Sequence, residues 1–108
     1  MELVKDIYDI TKKFPKEELY GLTSQMRRSA ISIQSNIAEG FARRVGKEYP
    51  HFILIALGPC SELETQVELS YNIRYIGMNE FHELSEKIII IAKMLNKLYK
   101  NLKMKSKK

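Results

Sequence analysis

The chain contains no tryptophan, one cysteine, three prolines and five glycines among its 108 residues. A single cysteine cannot form an internal disulfide, which excludes a disulfide-stapled scaffold. So few glycines and prolines argue against a fold rich in tight turns. The longest stretch without Asp, Glu, Lys or Arg, Tyr49 to Ser61, has 13 residues, whereas a membrane-spanning helix needs about 20 apolar residues. Because the first residues also lack the pattern of a signal peptide, we expect one cytoplasmic domain without a membrane role.

Positive charge is concentrated at the C-terminus. Residues 1–92 hold 11 Lys or Arg against 13 Asp or Glu, a net −2, whereas residues 93–108 hold seven lysines and no acid. This block therefore accounts for the net charge of +5. A block of one sign is usually a solvated tail and less often a nucleic-acid contact. We expect residues 103–108 to form a disordered basic tail.

Apolar residues recur at steps of three and four along nearly the whole chain, which is the period of an amphipathic helix. Four such helices joined by short loops predict an all-α fold, an antiparallel up-and-down four-helix bundle. The predicted helices cover residues of about 2–14, 22–44, 47–76 and 79–102.

Prolines and capping residues set where these helices begin and end. Gly58-Pro59 falls inside the third helix, where a proline removes a backbone hydrogen bond. We expect a kink over residues 54–59; the alternative, a helix that ends at this point, gives five helices. The other expected boundaries are Pro15 after the first helix, Thr23 or Ser24 at the start of the second, and Gly77 and Asn79 between the third and the fourth.

Two segments are apolar on every face, residues 52–57 in the third helix and residues 88–92 in the fourth. Burying one Leu or Ile side chain is worth about 1.5–3 kcal/mol, so several exposed ones form an adhesive patch. We therefore expect a homo-oligomer; the alternative is a wide apolar stripe that the first helix covers. The predicted interface residues are Phe52, Leu54, Ile55, Ile89 and Ile90.

Residues with catalytic or metal-binding chemistry are scarce. Glu48 and His51 have the Glu-x-x-His spacing of a di-iron site, but Asn79 precedes His82, the other histidine, so the set is incomplete. Cys60 lies on an apolar stripe, where cysteines are generally inert. No glycine-rich phosphate loop is present. We expect no catalytic residue, no metal and no cofactor, and so a protein that is not an enzyme.

Polar and basic residues interrupt the second helix. Ser32, Asn36 and Glu39 form a polar strip, which is either solvated surface, a buried network at an interface or a ligand site. Two arginine clusters begin 16 residues apart, which is about 24 Å of helix. Because contacts with phosphates release counterions, these clusters and the lysine block are the predicted nucleic-acid contacts: Arg27, Arg28, Arg43, Arg44, Lys47, Lys100, Lys103 and Lys105.

Three ordered segments resemble a known family: YGLTSQMRRSA at residues 20–30, SIQSNIAEG at 32–40 and IALGPCSELETQ at 55–66. They resemble the four-helix-bundle proteins encoded in intervening sequences of bacterial 23S ribosomal RNA genes. The resemblance implies a ring-shaped homopentamer without a known enzymatic activity. It also implies similarity to the accessory protein of diversity-generating retroelements, a pentameric bundle that binds nucleic acid and a reverse transcriptase. The residues that match the family's polar positions are Arg27, Arg28, Ser32, Asn36, Glu39 and Arg43.

The sequence thus predicts a non-catalytic, oligomeric helical bundle that binds RNA or DNA through charge multiplied over several copies. The alternative is a protein–protein interaction scaffold whose charged tail only keeps it soluble.

Overall fold

The computed structural model describes residues 2–106 and contains four α-helices and one short 3-10 helix, with no strand in that range. This confirms the predicted all-α class and the number of helices. The bounds are α1 (Glu2–Thr11), the 3-10 helix (Lys16–Glu18), α2 (Leu22–Ala42), α3 (Tyr49–Asn72) and α4 (Met78–Ser106).

The helices pack in a simple order. α3 lies between α2 and α4, and α1 bridges α2 and α4 on the other side. The Ser70 hydroxyl of α3 donates a hydrogen bond to Sδ of Met26 in α2 at 3.4 Å. Nε of Arg27, also in α2, donates to Oγ1 of Thr11 at the end of α1 at 2.9 Å. With the short loops that join them, these pairings give the antiparallel order expected of a bundle.

The apolar stripes predicted from the sequence meet in one core. Burial of these side chains supplies the main stabilisation, because removing apolar surface from water is worth about 25 cal/mol per Å². The fully buried members include Leu3 and Ile7 of α1, Met26, Ala30 and Ile33 of α2, Ile53, Ala56, Leu63 and Val67 of α3, and Ile88 of α4.

The first two helices differ from prediction at their ends. α1 ends at Thr11 rather than at residue 14, because Pro15 keeps the residue before it out of the α region. α2 ends at Ala42 rather than at residue 44. Its N-cap is Gly21 and not Thr23 or Ser24. Glu18 takes over the capping, since its Oε1 accepts the N–H of Leu22 at 3.3 Å.

α3 runs without interruption through Pro59, so the five-helix alternative is wrong. Pro50 lies in its first turn, where the missing N–H costs nothing. The helix begins at Tyr49 and ends at Asn72, shorter at both ends than predicted. Whether the axis bends over residues 54–59 stays a prediction.

A left-handed residue ends α3, whose last residue lies four positions before the predicted boundary at residue 76. Arg74 has φ 66°. Its N–H donates to the Tyr71 carbonyl at 3.0 Å, and the N–H of Tyr75 donates to the Ser70 carbonyl at 2.8 Å. These two bonds make a Schellman motif, in which glycine is the usual left-handed residue. The prediction that Gly77 ends α3 is therefore wrong.

Gly77 instead stands at the start of α4. Its carbonyl accepts the N–H of Phe81 at 3.0 Å, and its N–H donates to Oε1 of Glu80 at 3.0 Å. This is the backward half of a capping box, so Asn79 is not the cap. At the other end α4 continues to Ser106, so residues 103–105 are helical and not a disordered tail. Lys107 and Lys108 lie outside the described residues.

Candidate nucleic-acid interface

One end of the bundle gathers basic side chains from two distant parts of the chain. The turn between α2 and α3 and the last turns of α4 enclose a cleft of about 670 Å³. Predicted contact residues Arg44, Lys47, Lys103 and Lys105 all line it. The lining contains no Asp or Glu, and it includes Tyr49, His51 and Tyr99. A cleft of this kind suits a phosphate backbone, because its charge is of one sign.

The turn between α2 and α3, which carries Arg44 and Lys47, is held by a close contact between the two helices at Gly40. A Cβ atom at this position would lie 3.2 Å from Cβ of Phe52 and 3.3 Å from Cδ1 of both Ile53 and Tyr49. Such distances are tighter than ordinary van der Waals contact, so a residue without a side chain lets the end of α2 pack directly on the start of α3.

The two arginines at the end of α2 differ in their electrostatic surroundings. Arg43 forms ion pairs with Glu39 at 3.2 Å and with Glu48 at 3.1 Å, so its charge is largely balanced. Arg44 donates to the Phe41 carbonyl at 2.9 Å and stacks over the Phe41 ring at 4.2 Å. Neither contact neutralises Arg44, which therefore keeps its charge for an anionic partner.

A ladder of lysines extends the basic surface along α4. Lys93, Lys97 and Lys100 follow one another at steps of four and three, so they share one face of the helix. With Asn96 and Asn101 they line a shallow cleft of about 520 Å³. The sequence analysis identified only Lys100 of this ladder as a contact.

Arg27 and Arg28 lie towards the opposite end of α2, as their spacing predicts. Arg27 is half-buried: it donates to Thr11, and its guanidinium lies 4.5 Å from the centre of the Tyr8 ring. These contacts tie α1 to α2, so Arg27 has a structural role. Arg28 is exposed and lines two surface clefts, one that it shares with Tyr8 and Ile31 and another that it shares with Gln25 and Glu62.

The cleft beside Arg28 contains an aromatic residue that the sequence analysis did not identify. Tyr20 is 93% exposed and lines a cleft of about 700 Å³ with Leu19, Arg27 and Ile31. The sequence holds no signal for it, because Tyr75 also lies between helices and yet packs on Phe14.

The polar strip of α2 is made of local contacts. Nδ2 of Asn36 donates to the carbonyl of Ser32 at 2.9 Å and to its hydroxyl at 3.3 Å. Glu39 is exposed and pairs with Arg43 one turn later. Ser32 and Asn36 are half-buried. Within a single chain the strip is therefore a partly solvated surface and not a buried network.

The predicted interface residues lie at the surface of the single chain but on several faces. Leu54, Ile55, Ile89 and Ile90 are 45%, 39%, 38% and 50% exposed, and Phe52 is half-buried. Neighbouring residues in a helix point about 100° apart, so Leu54 and Ile55 belong to different faces, as do Ile89 and Ile90.

The described part of the chain contains no group of three or more His, Cys, Asp or Glu side chains that could hold a metal ion. Cys60 is buried, and desolvation, followed by the negative charge of Glu64, raises the pKa of its thiol to about 11. A thiol held in its protonated form is a poor nucleophile. No helix within residues 2–106 combines the length and the apolar character that crossing a bilayer requires.

Comparison with known proteins places this arrangement in a family. A crystal structure at 1.70 Å resolution of a protein of unknown function from the S23 ribosomal protein family of Bacteroides thetaiotaomicron has a similar fold, with a TM-score of 0.77. It is 23% identical, and the alignment covers 90% of this chain and 88% of that one. No curated protein matches the sequence. The sequence model of the 23S rRNA-intervening sequence proteins matches residues 1–97. Because this match reaches from the start of the chain into the last third of α4, the chain belongs to the 23S rRNA-intervening sequence protein family.

Proposed function

We propose that the protein is a non-catalytic, cytoplasmic homo-oligomer, a ring of five subunits, that binds RNA or DNA through its basic end. The observation that carries this proposal is the convergence of Arg44, Lys47, Lys103 and Lys105 around one cleft, although these residues lie up to 61 positions apart in the sequence. The lysine ladder of α4 continues the same surface.

Binding of this kind reads charge and shape more than base sequence. The basic cleft offers lysine and arginine side chains to phosphates, and each phosphate that is neutralised releases counterions. The two tyrosines that line the basic cleft, Tyr49 and Tyr99, are half-buried, and the Phe41 ring beside it is covered by Arg44. We therefore expect steep dependence on salt and little preference between sequences.

Assembly would multiply these contacts. Each chain carries a net charge of +5, and the exposed apolar side chains on several faces of α3 and α4 provide surface for neighbouring subunits. Linked sites act at a high effective concentration, so weak single contacts combine into useful affinity. Multi-angle light scattering tests the ring directly, with five times the 12.6 kDa mass of one chain as the expected result. A monomer at micromolar concentration contradicts it.

The experiment that tests nucleic-acid binding compares two double variants of equal net charge. Lys47→Glu/Lys105→Glu reverses two lysines of the basic cleft, and Lys13→Glu/Lys16→Glu reverses two exposed lysines between α1 and α2. Fluorescence anisotropy measures binding of a labelled RNA hairpin at two salt concentrations. We expect the cleft variant to bind at least about tenfold more weakly, with its salt slope reduced by about two.

The control variant distinguishes a local site from overall charge. If the two variants lose affinity equally, the basic end is not the site. If the wild-type protein fails to bind RNA and DNA, or binds with no dependence on salt, the nucleic-acid role is wrong.

A protein–protein scaffold is the second candidate. Several large apolar side chains of α2 and α4 are exposed without belonging to the basic cleft, among them Phe41 and Met94 at 56% and 66%. Replacing Lys103, Lys105, Lys107 and Lys108 by serine separates the two functions: a pure scaffold keeps its assembly and its protein partner, whereas nucleic-acid binding weakens.

A further inference from the structure

An exposed tyrosine and two arginines line one surface cleft at the start of α2. Tyr20 and Arg28 are exposed, and Arg27 is half-buried. All three line the cleft of about 700 Å³. The rest of its lining is a second tyrosine, two apolar residues and three serines: Tyr8, Leu19, Ile31, Ser24, Ser32 and Ser35. The cleft therefore combines aromatic rings, guanidinium groups and hydroxyls, and its lining contains no Asp or Glu.

The turn that contains Tyr20 is fixed on both sides by Glu18. The carbonyl of Glu18 accepts the N–H of Gly21 at 3.0 Å, and its Oε1 accepts the N–H of Leu22 at 3.3 Å. Although its backbone is tied down in this way, Tyr20 is 93% exposed. A large aromatic side chain gains stability when it is buried, but the chain itself covers almost none of this one. Both faces of the Tyr20 ring are therefore open to a planar partner.

No carboxylate neutralises the two arginines of this cleft. Within residues 2–106, neither Arg27 nor Arg28 forms an ion pair. Neutral groups hold Arg27 in place, since its Nε donates to Oγ1 of Thr11 at 2.9 Å and its guanidinium lies 4.5 Å from the centre of the Tyr8 ring. Glu62 lines a neighbouring cleft with Arg28 but does not pair with it. The cleft thus presents positive charge without compensation, in the form of guanidinium groups, whose planar N–H fork matches a phosphate.

This set of groups has the chemistry that recognises an unpaired nucleotide. The flat face of a base stacks on an aromatic ring, a guanidinium binds a phosphate, and serine hydroxyls donate to phosphates and sugars. In a duplex, the neighbouring bases cover both faces of each base, so a paired base cannot lie on Tyr20. An acidic peptide would pair with the arginines but would leave the Tyr20 ring in water. The lining therefore favours single-stranded nucleic acid.

We propose that this cleft binds single-stranded RNA or DNA, with a base stacked on Tyr20 and a phosphate paired with Arg28. Stacking tolerates any base, because every base has a π face, so the site selects unpaired strands and not a particular sequence. The proposal rests on the nucleic-acid role proposed above and adds a second site of different chemistry. This site is separate from the basic end, because Arg28 and Arg44 lie 16 residues apart in the chain, with about 24 Å of helix for that spacing.

Two labelled strands of equal charge distinguish stacking from charge. One is an oligouridine of about eight nucleotides, which is within the usual footprint of a single-strand site. The other is a sugar–phosphate chain of the same length without bases. In anisotropy titrations of the full chain, we expect the oligouridine to bind about tenfold more tightly than the base-free strand, because only its bases can stack.

Variants of Tyr20 and Arg28 assign the two parts of the contact. Tyr20→Ser is expected to weaken oligouridine binding about tenfold and to leave the base-free strand unaffected. Tyr20→Phe keeps the ring and is expected to bind like the wild type. Arg28→Gln should weaken the binding of both strands and reduce the salt slope by about one. The Lys47→Glu/Lys105→Glu variant is the control, because it should weaken both strands alike.

Four results overturn the proposal. They are equal affinity of the wild type for the two strands, an unchanged preference for the oligouridine in Tyr20→Ser, weak binding by Tyr20→Phe, and a change of mass in light scattering for Tyr20→Ser, which would make Tyr20 a subunit contact. Displacement of the oligouridine by millimolar uridine monophosphate would assign the cleft to a free nucleotide instead.

Failure of this proposal can be told apart from failure of the proposed function. If the wild type binds both strands equally, the stacking site is wrong, but the charge-based role of the basic end stands. If the wild type binds neither strand nor the RNA hairpin, the nucleic-acid role is wrong as a whole, and the stacking site is rejected with it.

Discussion

The Tyr75 phenol donates a 2.8 Å hydrogen bond to Oε2 of Glu18, which joins the loop after α3 to the 3-10 helix before α2. The other carboxylate oxygen of Glu18 accepts the N–H of Leu22 at the start of α2. The ring of Tyr75 also packs on Phe14, with 5.1 Å between the ring centres. One carboxylate and one tyrosine therefore hold the α1–α2 connection, the loop after α3 and the start of α2 together at this end of the bundle.

Replacing Tyr75 tests this arrangement. The hydrogen bond to Glu18, followed by desolvation, raises the pKa of the Tyr75 phenol above its ordinary value of 10. The neutral phenol is thus favoured in the folded chain, so its stabilisation is complete below pH 10 and declines as the pH rises through the higher pKa of the folded state. We expect Tyr75→Phe to have a lower melting temperature at neutral pH, with a difference from wild type that shrinks above pH 10. A constant difference would attribute the effect to packing alone.

Cys60 is expected to resist thiol reagents while the chain is folded. Burial raises the pKa of its thiol to about 11, so at about pH 8 roughly one thiol in a thousand is ionised. Ellman's reagent should therefore react far more slowly with the native protein than with the protein in urea. The raised pKa also means that stability falls as the pH rises from 9 towards 11, because the unfolded thiol ionises first. Rapid reaction of the native protein would place Cys60 outside the core.

Arg74 occupies a backbone conformation that suits glycine better. Its φ of 66° costs an L-residue about 1–2 kcal/mol relative to the right-handed region, and its side chain is exposed. Arg74→Gly should therefore stabilise the protein by about 1 kcal/mol in urea unfolding. Arg74→Ala is the control, since it removes the side chain but keeps the Cβ. Equal gains from both variants would show that the side chain, and not the backbone, was unfavourable.

Pro59 interrupts the hydrogen-bond ladder of α3. The helix continues through it from Tyr49 to Asn72, yet the proline nitrogen has no hydrogen to donate to the carbonyl of Ile55. Pro59→Ala restores that donor and should raise the free energy of unfolding by about 1–3 kcal/mol. Thermal unfolding measures the change, with Pro50→Ala as the control because Pro50 lies in the first turn. A loss of stability in Pro59→Ala would mean that the core is adapted to a bend at this point.

The sequence predicted the interior better than the ends. The apolar stripes of α1 and α3 are buried as their spacing predicts, for example Leu3, Ile7 and Ile10 in α1 and Ile53, Ala56 and Cys60 in α3. Helical periodicity is a local property of the sequence, so it directly indicates which side of a helix faces the core. The caps were mispredicted for a different reason. Glu18 caps the start of α2 after Gly21, a Schellman motif at Arg74 ends α3, and Glu80 bonds Gly77 at the start of α4. These arrangements depend on how the chain turns between helices.

The candidate site shows the same division. Charge counting identified Arg44, Lys47, Lys103 and Lys105 as basic residues, but nothing in their spacing indicates that they line one cleft. Charge counting also could not show that Arg43 is neutralised and Arg44 is not, because the ion pair of Arg43 with Glu48 crosses the turn between α2 and α3. The exposure of Tyr20 could not be predicted either, because it depends on the path of the chain into α2.

By itself the sequence determined four amphipathic helices, their order and the side chains that form the core, because the period of apolar residues and the short loops leave few other ways to hide them. Only the tertiary structure decided which charges gather at one end and which arginine is neutralised. These features depend on distances between segments remote in the chain, and those distances are fixed by packing rather than by local sequence.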